Sequence, residues 1–405
     1  MALRFFIFIQ LFLMLIPMSV LDVSSVYLSM PCIAITLMLT YKKNKRIIFA
    51  KTGLIKVLVS FFIIILMITL SQVIHGNDAD ELLKMTIFGF MLFVLALCIV
   101  CIYLNEYGEN AFEFALADIL CVAFINSLAA VLVLFSKELR ELIYTVISTS
   151  PTNEIHLELG MRSSGLFYFG GSVMSMFNCL AMYLALVYKS NYKLKGMFFY
   201  PLAFVLAMGA FVSGRMGLML IIIMFIFIML TPYRISLVDK NKVFNLLIFS
   251  ILSCVLVFIF QYEKVHHLLA WALEVFINYF NDGSVSSKST TVLATMYKFP
   301  SNILIGDGYF SQEGIGSDSG YILIGFYFGV IGVLSYLTVF LLHSTVVMNC
   351  KNIILKRCLL FTIAIVIVGN FKDIYLFASN GVTQVYFIFL LFSLMSVKKN
   401  NSSIV

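Results

Sequence analysis

The chain has 405 residues, of which 62% are hydrophobic and only 12% are charged, and its mean hydropathy is +1.04. Soluble domains carry about twice that share of charge, so the composition excludes a soluble enzyme and indicates a polytopic membrane protein. The formal net charge of +7 does not indicate nucleic-acid binding, because the basic residues lie in short segments between apolar runs, where they set membrane orientation.

Apolar runs along the chain are long enough to predict a series of membrane-spanning helices, each of which needs about 20 apolar residues. We see no internal repeat and no linker to a soluble domain, so residues 1–405 are expected to form one all-α integral membrane domain. Met1 to Leu21 has one early cation and no clear cleavage site, and we interpret it as a span rather than a signal peptide. The twelve predicted spans are 5–21, 23–41, 54–74, 85–104, 111–135, 165–188, 196–212, 216–232, 243–262, 320–347, 358–377 and 381–397.

The distribution of cations fixes the expected orientation of these spans. With the N-terminus in the cytoplasm, most of the 27 Lys and Arg residues fall in alternate loops on the cytoplasmic side. The exception is residues 105–110, an inside loop without a cation. The pattern predicts a multi-pass membrane protein with both termini in the cytoplasm.

Two segments on the predicted outer side are longer than a simple turn. One covers residues 136–164, and the other is a large periplasmic loop over residues 263–319. Within the second, residues 265–276 form an amphipathic stretch around Trp271, which predicts a helix lying at the membrane interface.

Each of two short polar stretches at the outer edge of a span carries an arginine. Arg162-Ser163-Ser164-Gly165 precedes one apolar run, and Ser213-Gly214-Arg215 separates two others with almost no loop. Neither arginine is expected to be neutralised by a sequence neighbour. The planar guanidinium matches phosphate oxygens, so two of them on one side predict an anion site, the alternative being arginines that snorkel to the interface.

Polar and glycine residues close the large loop and open the tenth span. The stretch Asn302–Tyr309 contains Asp307, which we interpret first as a turn residue. Asp318 and Tyr321 stand at the mouth of the span, where Asp318 can cap the helix or accept a sugar hydroxyl proton. Asn370, Lys372 and Asp373 form a polar island in the eleventh span, and the lysine and aspartate are candidates to pair with each other.

Other kinds of chemical site are not indicated. His75 and His156 are isolated, and the eight cysteines lie mostly in apolar runs as small buried hydrophobes. No metal-ligand spacing, phosphate-binding loop, dinucleotide motif or Ser/His/Asp set is present, so we expect no metal and no cofactor.

Four pieces in order give the chain a family resemblance: Arg162–Phe167, Ser213–Gly217, Ile305–Gly308 and Asp318–Tyr321. Over residues 160–345 the chain resembles the superfamily of O-antigen polymerases (Wzy-type) and O-antigen ligases. The resemblance implies a glycosyltransferase C-type helical fold and an inverting, metal-independent glycosyl transfer on the periplasmic face. It implies an undecaprenyl-pyrophosphate-linked oligosaccharide as donor, and a chain-length regulator and a flippase as protein partners.

The same resemblance implies roles for particular residues. Arg215 and Arg162 would clamp the pyrophosphate, and Asp318 would orient or deprotonate the acceptor hydroxyl. The residues expected to bind sugar or substrate are Tyr321, Tyr309, Ser213 and Asp307. Ligases commonly carry a histidine where this chain has Asp318, which favours a polymerase.

Three alternatives remain open at this stage. An O-antigen ligase would use the same chemistry, and a flippase or exporter of repeat units would handle the same lipid. A secondary transporter for a small anion would place its site at midspan, with paired breaks in its helices.

Overall fold

The computed structural model describes residues 2–41, 47–76, 80–192, 194–249, 274–282 and 295–397. The protein is mostly helical, with a few short strands. The helices are α1 Ala2–Leu15, α2 Ser25–Tyr41, α3 Lys51–His75, α4 Asp80–Tyr107, α5 Ala111–Phe135, α6 Lys137–Tyr144, α7 Pro151–Glu158, α8 Ser172–Asn191, α9 Gly196–Ser213, α10 Arg215–Leu230, α11 Tyr233–Ser236, α12 Glu274–Asp282, α13 Gln312–Ile315, α14 Gly320–Met348, α15 Ile353–Gly369 and α16 Val382–Leu394.

The described part of the chain contains five helical stretches that are long and apolar enough to cross a membrane. They are Lys51–His75, Glu81–Phe135, Ser172–Asn191, Gly196–Ser213 and Gly320–Met348. The second stretch, of 55 residues, holds two helices, because the chain turns at Gly108, whose φ is 61°, and α4 packs back on α5. These helices make the chain an α-helical protein of membrane type.

Helices lie within the predicted spans wherever those spans are described, although several are shorter than expected. The predicted span 5–21 ends as a helix at Leu15, the span 165–188 begins as a helix only at Ser172, and the span 358–377 ends at Gly369. The ninth span beyond residue 249 and the predicted interfacial helix up to residue 273 lie outside the described residues. The number of spans therefore stays a prediction.

Two helices form the centre of the bundle. Every residue of α16 except Ser393 is buried, and α8 is buried from Val173 to Val187. A helix that is apolar on all sides is stable only when other helices surround it. α16 packs against α4 and α15, and α8 packs against α9, α10 and α5.

A buried histidine links α3, α14 and α16 inside the bundle. The Ser60 hydroxyl donates to the Val57 carbonyl at 2.6 Å, so it accepts the Nε2–H of His343 at 2.9 Å. The other ring nitrogen of His343 accepts the hydroxyl of Tyr386. With a neutral imidazole, Ser60 and both ring nitrogens of His343 have hydrogen-bond partners, as burial among apolar helices requires.

Short strands tie the helix ends together at the two ends of α2. β1 (Ser19–Val20) pairs with β2 (Val23–Ser24) and with β4 (Ile147–Ser148), and β3 (Ile47–Phe49) pairs with β5 (Met395–Val397). The predicted break at residues 21–23 is thus a hairpin turn, in which Leu21 and Asp22 have φ of 48° and 64°. Each sheet joins segments that the sequence analysis assigns to one side of the membrane.

The helix α14 is broken at Phe328 and Gly329, in its first third, where the sequence predicts an uninterrupted span. Phe328 and Gly329 leave helical geometry, with φ of 60° at Gly329. Residues 302–308 fill the break, because the Asp307 amide donates to the Phe326 carbonyl at 2.7 Å and the Val330 amide donates to the Ile303 carbonyl at 2.9 Å. The Ile305–Gly308 motif therefore replaces backbone hydrogen bonds that the helix has lost.

Candidate functional site

The short helix α7 ends just before Arg162 and places it at one end of the bundle. It begins with Ser150 as N-cap and ends in a Schellman turn, in which Gly160 (φ 65°) and Met161 donate to the carbonyls of Leu157 and His156, each at 3.0 Å. The Ser163 amide then donates to the Val212 carbonyl of α9 at 2.9 Å. Arg162 is thus fixed between the end of α7 and the junction of α9 with α10.

Gly171 and Gly214 bring the N-termini of α8 and α10 together beside Arg162. Each glycine is the N-cap of its helix, and neither helix has a side-chain cap. A Cβ atom on Gly171 would lie 3.0 Å from Nη1 of Arg162, and one on Gly214 would lie 3.1 Å from the Gly171 carbonyl. A side chain on Gly214 would press on the backbone of Gly171, and Gly171 has a φ of 76°, which favours glycine. We call Arg162, Gly171, Gly214 and Arg215 the arginine cluster.

The glycines of the Ser213–Gly217 piece allow this close packing. The Gly217 amide donates to the hydroxyl of Ser175, in the first turn of α8, at 3.1 Å. The close contact of the two first turns brings both positive helix ends together beside Arg162, which favours an anion.

Arg162 is a partly buried cation without a counter-ion. Within the described ranges no carboxylate forms an ion pair with it, and its buried Nε–H finds no hydrogen-bond acceptor. Burial lowers the pKa of the Arg162 guanidinium, which stays charged all the same. An anion placed here would relieve both deficits.

His156, which is isolated in the sequence, lies close enough to Arg162 for its charge to act on the imidazole. Burial first, and then the positive charge of Arg162, lower the pKa of its imidazole. Its Nδ1 is buried and has no partner in the part of the chain that the structure describes. His156 is thus a third nitrogen-bearing side chain at this position.

Arg215 differs from Arg162, because a carboxylate from the large loop neutralises it. Its Nη2 lies 2.7 Å from Oε2 of Glu274, the first residue of α12, and the two side chains are 16% and 24% exposed. As expected, no residue near Arg215 in the sequence neutralises it, because its partner is 59 residues away along the chain. Glu274 is a residue of the site that sequence reasoning missed.

Asp318 lies at the mouth of α14, as expected, and is paired with a lysine. Nζ of Lys372 lies 3.2 Å from Oδ2 of Asp318, whose side chain is half exposed. The suggested pairing of Lys372 with Asp373 is wrong, because Lys372 turns to Asp318 and Asp373 accepts the amide of Ile374 at 2.7 Å. The loop after α15 curves over the start of α14, which brings Lys372 to Asp318.

Asn370 is the centre of this second region, which we call the Asn370 network together with Asp318, Ser319, Tyr336 and Lys372. Its Oδ1 accepts the Tyr336 hydroxyl at 2.9 Å and the Tyr375 amide at 3.1 Å, and its Nδ2 donates to the Val366 carbonyl at 2.7 Å. Its own carbonyl accepts the Ser319 hydroxyl at 3.3 Å. The polar island predicted at 370–373 is therefore a hydrogen-bonded link between α14 and α15.

The remaining predicted substrate-binding residues make contacts within the protein. Tyr321 donates its hydroxyl to the Ile367 carbonyl at 2.9 Å, and Asp307 accepts the amides of Ser301 and Asn302 at 2.9 and 3.1 Å. The Ser213 hydroxyl donates to the Gly209 carbonyl at 2.6 Å. Tyr309 is 46% exposed and remains accessible from solvent.

The arginine cluster and the Asn370 network are neighbours through α8. The hydroxyl of Tyr375 contacts Sδ of Met176, the residue after Ser175 in α8, at 3.0 Å. Both regions therefore contact the same helix, α8, and the second one presents a carboxylate and a lysine, Asp318 and Lys372. Chemically, the first region can hold an anion, and the second can accept a hydrogen bond from a hydroxyl group.

No group of three or more His, Cys, Asp or Glu side chains within the described ranges is arranged to hold a metal ion. No protein-family model matches the chain, and no curated protein is significantly similar to it in sequence.

Proposed function

We propose that the protein is a glycosyltransferase that polymerises lipid-linked oligosaccharide repeat units into a bacterial surface polysaccharide of the O-antigen type. The donor is a glycan on undecaprenyl pyrophosphate, and the acceptor is a hydroxyl of another lipid-linked unit. The reaction takes place on the periplasmic face of the inner membrane, in a bundle of about twelve spans with a glycosyltransferase C-type fold.

The observation that carries this proposal is that Arg162, beside Gly171 and Gly214, has no ion-pair partner among the described residues. A buried cation without a counter-ion costs free energy unless an anion accompanies it. Here the starts of α8 and α10, with their backbone N–H groups, meet at the same glycines, and Arg215 is the first residue of α10. Pyrophosphate has the charge and the oxygen geometry to use several of these donors at once.

In the proposed reaction, an acceptor hydroxyl oxygen attacks the anomeric carbon of the donor sugar and a new glycosidic bond forms. The bond from that carbon to the pyrophosphate oxygen breaks, and the lipid pyrophosphate leaves with the electron pair. Arg162 and Arg215 stabilise the negative charge that develops on it. The carboxylate of Asp318 takes the proton of the acceptor hydroxyl.

The ordered pieces 162–167, 213–217, 305–308 and 318–321 support the same choice. In the described structure, the first two form the arginine cluster, the third fills the break in α14, and the fourth begins α14. Asp318 at a position where ligases commonly have histidine supports a polymerase over a ligase.

Deletion of the gene in its own host, followed by electrophoresis of the surface polysaccharide, tests the proposal. We expect the ladder to collapse to the core plus one repeat unit, and a plasmid copy to restore it. Loss of every repeat from the core, with long chains kept on the lipid carrier, would indicate a ligase. Repeat units trapped on the cytoplasmic face would indicate a flippase, and an unchanged ladder would favour a transporter.

A further inference from the structure

The ion pair between Arg215 and Glu274 joins the arginine cluster to the large loop. Glu274 is the first residue of α12, and its Oε2 lies 2.7 Å from Nη2 of Arg215. With exposed fractions of 16% and 24%, the two side chains are sheltered enough for the pair to be stronger than one on an open surface. The carboxylate therefore stabilises the guanidinium when no ligand is bound.

The same N–H groups of Arg215 are the ones that a phosphate group needs. Guanidinium recognises carboxylate and phosphate through the same planar edge, so the carboxylate of Glu274 and a pyrophosphate oxygen compete for it. Arg162 has no carboxylate partner among the described residues and is open to a ligand from the start. An anion can therefore bind Arg162 directly, whereas at Arg215 it must first displace Glu274.

We propose that Glu274 is the resident counter-ion of Arg215, which a pyrophosphate-linked ligand displaces on binding and which returns to Arg215 when the pyrophosphate leaves. This inference rests on the proposed function of the arginine cluster. Pyrophosphate carries more negative charge than one carboxylate and also reaches Arg162, so it displaces Glu274. Return of the carboxylate favours release of the pyrophosphate carrier after each transfer.

Binding of inorganic pyrophosphate to the full-length chain in detergent tests the inference by isothermal titration calorimetry. Glu274→Gln keeps the size and one hydrogen-bond acceptor of the side chain but removes its charge. We expect it to bind pyrophosphate about tenfold more tightly than the wild type, since a charge-assisted contact no longer has to be broken. Glu274→Asp, which keeps the charge, should stay within about threefold of the wild type.

Controls separate this effect from a general change of charge. Glu313→Gln removes a charge from the exposed helix α13 of the same loop, and should leave the affinity unchanged. Adding Arg215→Gln to Glu274→Gln should abolish the gain, because the competition takes place on that guanidinium.

Two results would overturn the inference. Weaker binding in Glu274→Gln would mean that the carboxylate positions Arg215 for the ligand, and unchanged binding would mean that the ligand does not contact that edge. The proposed function stands or falls separately. If Arg215→Gln collapses the polysaccharide ladder while Glu274→Gln binds pyrophosphate no more tightly than the wild type, only the counter-ion inference fails. If the ladder is unaffected by Arg215→Gln, the proposed function fails as well.

Discussion

The arginine cluster and the Asn370 network are both polar regions at one end of an apolar bundle, but they differ in how far the protein satisfies them. Around Asn370, the amide, hydroxyl and backbone groups bond to one another between α14 and α15. Around Arg162, a guanidinium Nε–H and an imidazole nitrogen are buried with no partner in the described chain. Natural proteins satisfy nearly all buried polar groups, so we expect the unsatisfied region to be the one that holds the anion, and the satisfied region to hold α14 and α15 together.

Replacement of the two arginines is the change that should separate the regions most strongly. Arg162→Gln and Arg215→Gln should each reduce transfer by about 10²- to 10³-fold, the usual cost of removing a donor from a developing oxyanion, while expression and folding persist. The measurement is complementation of the deletion strain, read as the length of the polysaccharide ladder. Lys137→Gln, at an exposed lysine of α6, is the matched control, and full-length ladders in both arginine variants would remove the clamp from the proposal.

Asp318→Asn tests whether the Asn370 network also takes part in the transfer reaction. If the carboxylate accepts the hydroxyl proton, transfer should fall by about 10²-fold with donor binding unchanged, because Lys372 and the start of α14 keep their places. Turnover and pyrophosphate affinity should be measured on the same purified variant. Loss of binding together with turnover would make Asp318 a recognition or structural residue instead of a base.

Asn370→Ala should affect stability more than any single change in the arginine cluster. It leaves the buried Tyr336 hydroxyl without its acceptor, and such a loss costs about 1–3 kcal/mol. We expect a lower thermal midpoint in detergent than for the wild type or Arg162→Gln. Asn241→Ala, at an exposed position, is a control for loss of an asparagine. An Asn370→Ala midpoint equal to that of the wild type would show that Asn370 is not a structural centre.

His156 gives the smallest and most local test. Burial and Arg162 lower its pKa from the ordinary value of 6.5, so the folded state binds this proton less readily than the unfolded state. Its contribution to stability is therefore present above pH 6.5 and is lost as the pH falls toward the folded pKa. In Arg162→Gln the imidazole should titrate at higher pH, measured by the pH dependence of its modification with diethyl pyrocarbonate. An unchanged titration would place the two side chains too far apart to share a ligand.

The sequence predicts the helical membrane class and the positions of the polar pieces, because both depend on local composition. It does not predict the pairing of Arg215 with Glu274 or of Lys372 with Asp318, because each partner comes from a distant segment. The break in α14 is also hidden, since hydropathy is continuous across Phe328 and Gly329 and the lost backbone bonds are replaced from another segment. These features depend on contacts between segments that are distant in the sequence, and local composition does not predict such contacts.

The exchange of hydrogen bonds between residues 302–308 and α14 bears on how the chain is assembled in the membrane. The loop is synthesised just before the helix, so the two meet early and at low loop-closure cost. A half-helix inserted alone would carry unsatisfied carbonyls into lipid. We therefore expect the loop and α14 to enter the bilayer as one unit, and a bulky residue at Gly329 to impair insertion before it impairs catalysis.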